Sequence, residues 1–213
     1  MRIAVNGADD LMMEQANYDT LTRLPNRFLL QDRIALFVGG GKHHKSRIAV
    51  LVIDLDCLKL VNDSLGYKVG DILLQSVARR LEGCVRASDF LARLGGDEFV
   101  IVLSDIETPD EIIPIIERCQ ETLADIFKID HHVIAITSSI GVSIFPTDGK
   151  DVNTLLKNAD AALQTAKRKG PNCFSFYKPP SKAQAAAFEK ILKAKALSSP
   201  RQSNNVIPLK PRR

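Results

Sequence analysis

The hydrophobic positions of this chain follow both strand-like and helix-like patterns. Residues 48–53 are continuously apolar, as in a strand buried on both faces. Residues 90–103 contain two apolar runs around a pair of glycines, which is typical of a β-hairpin. Apolar residues recur at helical spacing over residues 72–85 and 152–169. Strands that alternate with helices predict a mixed α+β fold in which helices cover a sheet.

Helix and turn signals extend this prediction at both ends of the chain. A first helix follows Pro25 and ends at the glycines of residues 39–41. Gly70 and Asp71 are expected to open the helix over residues 72–85, after a loop. The segment before Tyr18 indicates only a short helical stub.

The second half of the chain predicts a helix and then further strands. Thr108 and Pro109 resemble the N-cap and first residue of a helix that reaches about residue 127, and Pro114 predicts an early kink or a later start. Residues 129–143 favour strands broken by a turn. Residues 173–177 indicate a last strand.

The predicted hairpin carries its polar residues at the tip. Gly95 and Gly96 let a ligand approach the backbone closely, and Asp97 and Glu98 follow them. A second acidic pair, Asp54 and Asp56, ends the strand of residues 48–53. Carboxylates at a strand end that face carboxylates at a hairpin tip indicate a shared Mg²⁺ site and phosphoryl transfer.

Composition places the chain among ordinary globular proteins, but its charge is unevenly distributed. Of 213 residues, 45% are hydrophobic and 25% are charged, and the net charge is +4. Residues 178–213 contain nine basic residues and one glutamate, so this tail carries +8 and the rest of the chain −4. A mobile, solvated tail accounts for this more simply than contact with nucleic acid or lipid, and no nucleic-acid partner is expected.

The cysteines and the hydropathy indicate a reduced, cytoplasmic protein. The four cysteines are widely spaced and show no CxxC pair. No apolar run reaches the roughly 18 to 20 residues that a membrane span needs, and residues 1–7 are too short in apolar content for a signal peptide.

A series of motifs in order along residues 18–177 resembles the GGDEF family, the diguanylate cyclases. Residues 95–99 spell the family name itself. The accompanying motifs are DTLTRLPNR at residues 19–27, DLD at 54–56, NDSLGYKVGD at 62–71 and ADAAL at 159–163, followed by Ala166-Lys167.

The resemblance implies a fold and a domain organisation. The fold is ferredoxin-like and related to the polymerase palm, with an antiparallel-containing sheet, flanking helices and the active site on a hairpin turn. We expect an N-terminal helical stub at residues 1–17, a GGDEF domain at 18–178, and a basic tail at 179–213 with a short helix near 182–197 before a disordered end. In the family such a stub usually ends a signalling helix from an upstream sensor, which the sequence does not identify.

The resemblance also implies an activity: two GTP molecules are joined into cyclic di-GMP, with two pyrophosphates released, across a homodimer interface that is at least transient. The positions that match the family's Mg²⁺ ligands are Asp54, the main-chain carbonyl of Leu55, Asp97 and Glu98, and Mn²⁺ can substitute. Asp97 or Glu98 would accept the hydroxyl proton, and the sequence does not separate these two assignments.

The remaining substrate positions follow from the same motifs. Asn62 and Asp71 match the positions that bind guanine in the family. The chemistry fits, since a carboxylate can accept hydrogen bonds from the N1 and N2 hydrogens of guanine. Lys59 and the catalytic position Lys167 match its phosphate contacts, and Gly95 and Gly96 would admit ribose and phosphate.

Three positions depart from the family pattern. Pro171 stands where the family commonly has a phosphate-binding arginine, Tyr67 where it has histidine, and Gln164 where it has tyrosine. Because a charge-assisted contact contributes roughly 1.5 to 3 kcal/mol, we expect about ten- to a hundredfold weaker triphosphate binding.

Arg86 and Asp89 match the family's RxxD site for inhibition by cyclic di-GMP. A local ion pair is the alternative reading of this short pattern. The alternative function is a weak or inactive GGDEF domain that acts as a receptor for GTP or cyclic di-GMP. The chain could also be a fragment of a longer signalling protein.

Overall fold

The computed structural model describes residues 16–39 and 47–179. These residues form a five-stranded sheet and a separate two-stranded hairpin. The five-stranded sheet has the order β2-β3-β1-β6-β7, in which β7 alone runs parallel to its neighbour. The strands are β1 (Arg47–Asp56), β2 (Phe90–Gly95), β3 (Glu98–Ile106), β4 (Phe127–Ile129), β5 (His132–Ile134), β6 (Thr137–Phe145) and β7 (Phe174–Phe176).

Helices cover both faces of this sheet. They are α1 (Arg27–Gly39), α2 (Leu58–Leu65), α3 (Tyr67–Glu82), α4 (Ile113–Ala124) and α5 (Val152–Lys169), with a short 3₁₀ turn at Pro109–Glu111. The order of β1, β2, β3 and β6 and the helices between them give the predicted ferredoxin-like, palm-related α+β fold.

The central strand β1 divides the core into two layers. Leu51, Ile53 and Leu55 pack with the apolar faces of α3 and α4. Val50 and Val52 pack with residues of α1 and α5 on the opposite face. Successive side chains of a strand point to opposite faces, so the continuous apolar run of β1 is explained by burial on both sides.

Several element boundaries differ from those expected. β1 extends through Asp54 to Asp56, because both residues pair with β6. The segment expected to be a loop forms α2, and α3 begins at Tyr67 rather than at Gly70. Asp71 is therefore inside a helix and does not cap one.

Other boundaries agree with the sequence signals. Thr108 forms a capping box with Glu111, and the 3₁₀ turn separates it from α4, so the later start predicted from Pro114 is confirmed. Helix α5 spans the predicted residues 152–169.

The expected stub at residues 1–17 lies almost wholly outside the described residues, as do the tail helix near 182–197 and nearly all of the tail from 179 onward. Among the helices that the structure describes, none combines the length and apolar character needed to cross a bilayer.

Candidate active site

The β2–β3 hairpin presents its acidic tip on a firmly held turn. Gly95 and Gly96 adopt φ angles of 127° and 55°, a region that side chains other than glycine rarely occupy. Arg93 lies at the base of the turn and donates through Nη2 to the carbonyl of Gly96 at 2.6 Å. Its Nη1 pairs with Asp19 Oδ1 at 2.8 Å. The buried arginine therefore joins the turn to the segment before α1.

This anchoring was not foreseen from the sequence, although Asp19 stands in a quoted motif and Arg93 lies just before residues 95–99. Asp19 also accepts from the backbone and hydroxyl of Thr22. Although burial opposes ionisation, these bonds and Arg93 hold the pKa of Asp19 below its ordinary value. A second link joins the same elements, since the Arg93 amide donates to the Pro25 carbonyl at 2.9 Å.

The hairpin tip lies beside the end of β1. Asp54 and Glu98 are direct partners in the antiparallel β1–β3 ladder, which places both side chains on one face of the sheet. The Leu55 amide donates to the Asp97 carbonyl at 3.3 Å. The structure thus brings together Asp54, Leu55, Asp97 and Glu98, the positions predicted to hold metal.

The electrostatics of these carboxylates favour a bound cation. Burial raises the pKa of Asp54, and the negative charges of Asp97 and Asp56 add to this effect, while Lys167 opposes it. Burial also raises the pKa of Glu98; Arg27 opposes that shift, and Asp160, Asp54 and Asp97 reinforce it. A divalent cation would relieve this mutual repulsion.

The donor set fits Mg²⁺ because all its atoms are hard oxygens. Within the described ranges no three His, Cys, Asp or Glu side chains already converge on one metal position. Mg²⁺ commonly takes only one or two carboxylates and fills its other positions with water and substrate phosphates, so Asp54 with one hairpin carboxylate would meet this need.

Lys167 lies at the same place, in the last turn of α5. Its Nζ forms an ion pair with Asp54 Oδ1 at 2.6 Å. The side chain of Lys167 is 37% exposed and that of Asp54 only 12%, so the lysine ammonium group lies on the solvent side of the carboxylate. It can therefore contact a phosphate that approaches the metal ligands from solvent.

The expected guanine readers lie where α2 meets α3. A Cβ on Gly70 would lie 1.9 Å from Asn62 Oδ1, so the side chain of Asn62 rests directly on the Gly70 backbone. Asp71 is exposed and follows Gly70 in the chain. The absence of a side chain at position 70 therefore allows Asn62 to reach the helix that carries Asp71.

Lys59 lies exposed in the first turn of α2. Cys57, which precedes this helix, adopts φ 65° and caps none of its amides with its side chain. The amide groups at this helix start can therefore donate hydrogen bonds to a phosphate oxygen.

The turn after α5 carries Pro171, one of the residues expected to depart from the family pattern. Gly170 and Asn172 have φ angles of 128° and 55°, and Pro171 is exposed between them. Proline has no amide hydrogen and no charged side chain, so it offers no donor to a phosphate. Tyr67 and Gln164 are also exposed.

The two residues of the RxxD pattern lie near the base of β2. Asp89 accepts from the backbone amides of Arg86 at 2.9 Å and Ser104 at 3.3 Å, while the Arg86 side chain is exposed. The two side chains do not pair with each other within 4 Å, so the local ion pair is not formed.

A cleft of about 290 Å³ opens on the sheet face that carries Glu98. Arg27 and Asp160, for which the sequence suggested no role, line it together with Glu98. The other polar side chains of its wall are Gln31, Asn153 and Lys157. Arg27 and Asp160 both stand in the quoted motifs. Their proximity to Glu98 depends on how α1 and α5 pack on the sheet.

Comparison with known proteins confirms the family resemblance found in the sequence. The family model "Diguanylate cyclase, GGDEF domain" matches residues 16–173. The chain is 40% identical over 174 residues to the bifunctional diguanylate cyclase/cyclic di-GMP phosphodiesterase MucR of Pseudomonas aeruginosa. This match covers 82% of the chain and 25% of MucR, so the chain spans about a quarter of that relative.

Solved structures share the fold. The crystal structure of the GGDEF domain of TpbB from Pseudomonas aeruginosa matches with a TM-score of 0.72 and 31% identity, covering 75% of this chain and 99% of that one. The coiled coil and GGDEF domain of DgcB from Caulobacter crescentus, in complex with c-di-GMP, gives 0.72 at 25% identity over 80% and 90% of the two chains. The family match over residues 16–173 and the identity with these relatives show that this chain belongs to the GGDEF domain family.

Proposed function

We propose that this chain is a diguanylate cyclase that condenses two GTP molecules into cyclic di-GMP with release of two pyrophosphates. The observation that carries the proposal is the placement of Asp54, Asp97, Glu98 and Lys167 at one point of the sheet. Relatives that are named diguanylate cyclases support it.

Each condensation joins two nucleotides. The 3′-hydroxyl oxygen of one GTP attacks the α-phosphorus of the other, and the bond to the β-phosphate breaks to release pyrophosphate. The 3′-hydroxyl of the second GTP attacks the α-phosphorus of the first in the same way, which releases the second pyrophosphate and closes the ring. One GTP binds per subunit, so two subunits must face each other and form at least a transient homodimer.

The residues divide between substrate binding and proton transfer. Asn62 and Asp71 bind the guanine edge, while Lys59 and Lys167 contact phosphates. The hydroxyl proton passes to Asp97 or Glu98, both of which stand at the hairpin tip. Gly95 and Gly96 leave room for the ribose.

Asp54, Asp97, Glu98 and the Leu55 carbonyl would hold Mg²⁺, or Mn²⁺ in its place. The cation supplies Lewis-acid neutralisation of phosphate charge. Arg86 and Asp89 would bind the product at a separate inhibitory site, for which the exposed guanidinium of Arg86 is free to form a bidentate contact with a guanine. Residues 18–178 would form the catalytic domain.

One observation favours a second candidate, a receptor for GTP or cyclic di-GMP with little turnover. Pro171 removes a phosphate donor from the turn that follows α5. A receptor would bind nucleotide through the same residues and signal to a partner.

Incubation with GTP and Mg²⁺, followed by mass spectrometry of the products, separates these functions. The cyclase yields cyclic di-GMP and pyrophosphate, and an Asp97→Ala variant yields neither. Tight binding of cyclic di-GMP in calorimetry, with no product at any protein concentration, would select the receptor instead.

A further inference from the structure

The two carboxylates at the end of β1 have different surroundings. Asp54 faces Lys167 and the hairpin carboxylates. Asp56, two residues later, makes three hydrogen bonds that involve neither the hairpin nor a cation. Its side chain is thus committed to holding other parts of the chain.

The first two bonds of Asp56 join it to β6. Thr137 Oγ1 donates to Oδ2 at 2.7 Å, and Ser139 Oγ donates to Oδ1 at 2.7 Å. Ser139 is fully buried, so its hydroxyl would lose its acceptor without Asp56. These hydroxyls fix the plane of the carboxylate against the sheet.

The third bond reaches the turn that follows α5. The amide of Asn172 donates to Asp56 Oδ2 at 2.9 Å, across 116 positions in sequence. Asn172 has a left-handed backbone, and the carbonyl of Cys173 accepts from Ile140 of β6 at 3.0 Å. Asp56 therefore holds the turn at Asn172, a residue with a left-handed backbone conformation.

The clamped turn ends the helix that carries Lys167. The Gly170 amide donates back to the Lys167 carbonyl at 3.3 Å, so the turn and the last helical turn are directly joined. Three basic residues stand in that last helical turn: Lys167, Arg168 and Lys169. A shift of the turn would move the cation that pairs with Asp54.

We propose that Asp56 is a positioning residue for nucleotide binding: it holds turn 170–172 on the sheet and thereby places Lys167 over the phosphate site. This inference rests on the proposed function for the role of Lys167, but the clamp itself does not depend on nucleotide. Asp56 is expected to act chiefly on GTP affinity, because its hydrogen bonds reach the turn and not the hairpin, and its charge affects the proposed metal ligands only through its electrostatic effect on Asp54.

The test compares Asp56→Ala and Asp56→Asn with the unaltered chain. Calorimetry with 3′-deoxy-GTP and Mg²⁺ measures binding without turnover, because this nucleotide lacks the attacking hydroxyl. We expect the dissociation constant to rise about tenfold for Asp56→Ala, as for the loss of about 1.4 kcal/mol, and less for Asp56→Asn, which keeps one acceptor oxygen. In steady state KM should rise while kcat stays within about twofold.

Asp148 supplies a matched control at the other end of β6. Its carboxylate accepts from the Ile144 amide at 2.8 Å, which is also a carboxylate-to-backbone anchor. Asp148→Ala should lower the melting temperature and leave the affinity for 3′-deoxy-GTP unchanged. An equal loss of affinity in both variants would mean that general destabilisation, not positioning, is responsible.

The hydrogen-exchange rate of the Asn172 amide directly measures whether its bond to Asp56 is intact. Exchange should be slow in the unaltered chain and faster in Asp56→Ala, without nucleotide. If exchange accelerates but the dissociation constant does not change, the positioning role is wrong. If Asp56→Ala does not fold, Thr137→Val removes one supporting bond and should shift the same two measurements in the same direction; no shift would overturn the proposal.

Failure of the proposed function would look different. Absence of any 3′-deoxy-GTP binding by the unaltered chain would overturn the nucleotide site and the role of Asp56 in it. The amide exchange of Asn172 would still respond to Asp56→Ala in that case, which separates a wrong ligand from a wrong clamp.

Discussion

The hairpin tip and the turn after α5 both border the proposed phosphate site, but only the hairpin carries all the residues that its motif is expected to supply. The tip keeps both glycines and both carboxylates, and Arg93 fixes its backbone through Asp19 and Gly96. The turn is fixed equally firmly through Asp56, yet it carries Pro171 in place of a donor. Rigid placement is thus common to both regions, and they differ in what they can offer a phosphate.

This difference separates catalysis from affinity. In the proposed mechanism the hairpin carries the groups that act on the reacting atoms, whereas the turn contributes to holding the triphosphate. We therefore expect substitutions in the hairpin to lower kcat and substitutions around the turn to change KM.

The largest expected effect comes from the hairpin. Asp97→Asn removes a charge that the transition state requires, and a loss of about 4 kcal/mol corresponds to about a thousandfold lower kcat. The rate of pyrophosphate release measures it. Glu121→Gln, an exposed glutamate on α4, is the control and should retain the full rate. A kcat for Asp97→Asn within tenfold of the unaltered chain would contradict the assignment.

The next effect tests the helix end beside the turn. Lys167→Met removes the cation that pairs with Asp54, and we expect about ten- to a hundredfold weaker binding of 3′-deoxy-GTP. Calorimetry measures the change. Lys128→Met, an exposed lysine of β4, should bind as the unaltered chain does. Equal affinities for the two variants would exclude Lys167 from the phosphate site.

A smaller effect is expected at the predicted guanine site. Gly70→Ala places a methyl group where Asn62 Oδ1 now lies, so the flexible amide must move away. We expect GTP affinity to fall about tenfold, because one base contact is lost. The melting temperature should not fall, since alanine favours a helix by about 0.5 to 1 kcal/mol over glycine.

Gly83→Ala is the matched control, because a Cβ there would have only an ordinary 3.4 Å neighbour. It should leave affinity unchanged. If Gly70→Ala binds GTP normally, Asn62 does not contact the base.

The smallest effect concerns the anchor of the hairpin rather than its chemistry. Asp19→Asn removes the charge opposite buried Arg93 but keeps an acceptor oxygen, and at pH 7 we expect a loss of about 1 kcal/mol in the free energy of unfolding. The folded state lowers the pKa of Asp19, so its contribution is present above the unfolded value near 3.8 and is lost as the pH falls through the folded pKa. Denaturant unfolding should therefore show a difference at pH 7 that disappears in acid; a difference independent of pH would contradict the ion pair.

The sequence was sufficient for the parts of the fold that local pattern determines. The apolar run of β1, the helical spacing of α5 and the glycine pair of the hairpin each led to a confirmed element. The α2 helix was missed because it is only eight residues long, contains the loop-favouring run Asn62-Asp63-Ser64 and ends at Gly66.

Contacts between distant segments could not be read in this way. The pairing of Arg93 with Asp19 spans 74 positions, and that of Asp56 with Asn172 spans 116. Their residue types are equally compatible with solvated surface positions. Only the folded arrangement shows that Asp54 is free to face Lys167 while Asp56 is occupied.

Restoring a donor to the turn tests the central claim most directly. Pro171→Arg should lower the KM for GTP about ten- to a hundredfold, while kcat for cyclic di-GMP formation stays within about twofold of the unaltered chain. That result would show that the hairpin is catalytically intact and that the turn limits affinity. No cyclic di-GMP from either protein at saturating GTP, or a large rise in kcat with KM unchanged, would contradict the account.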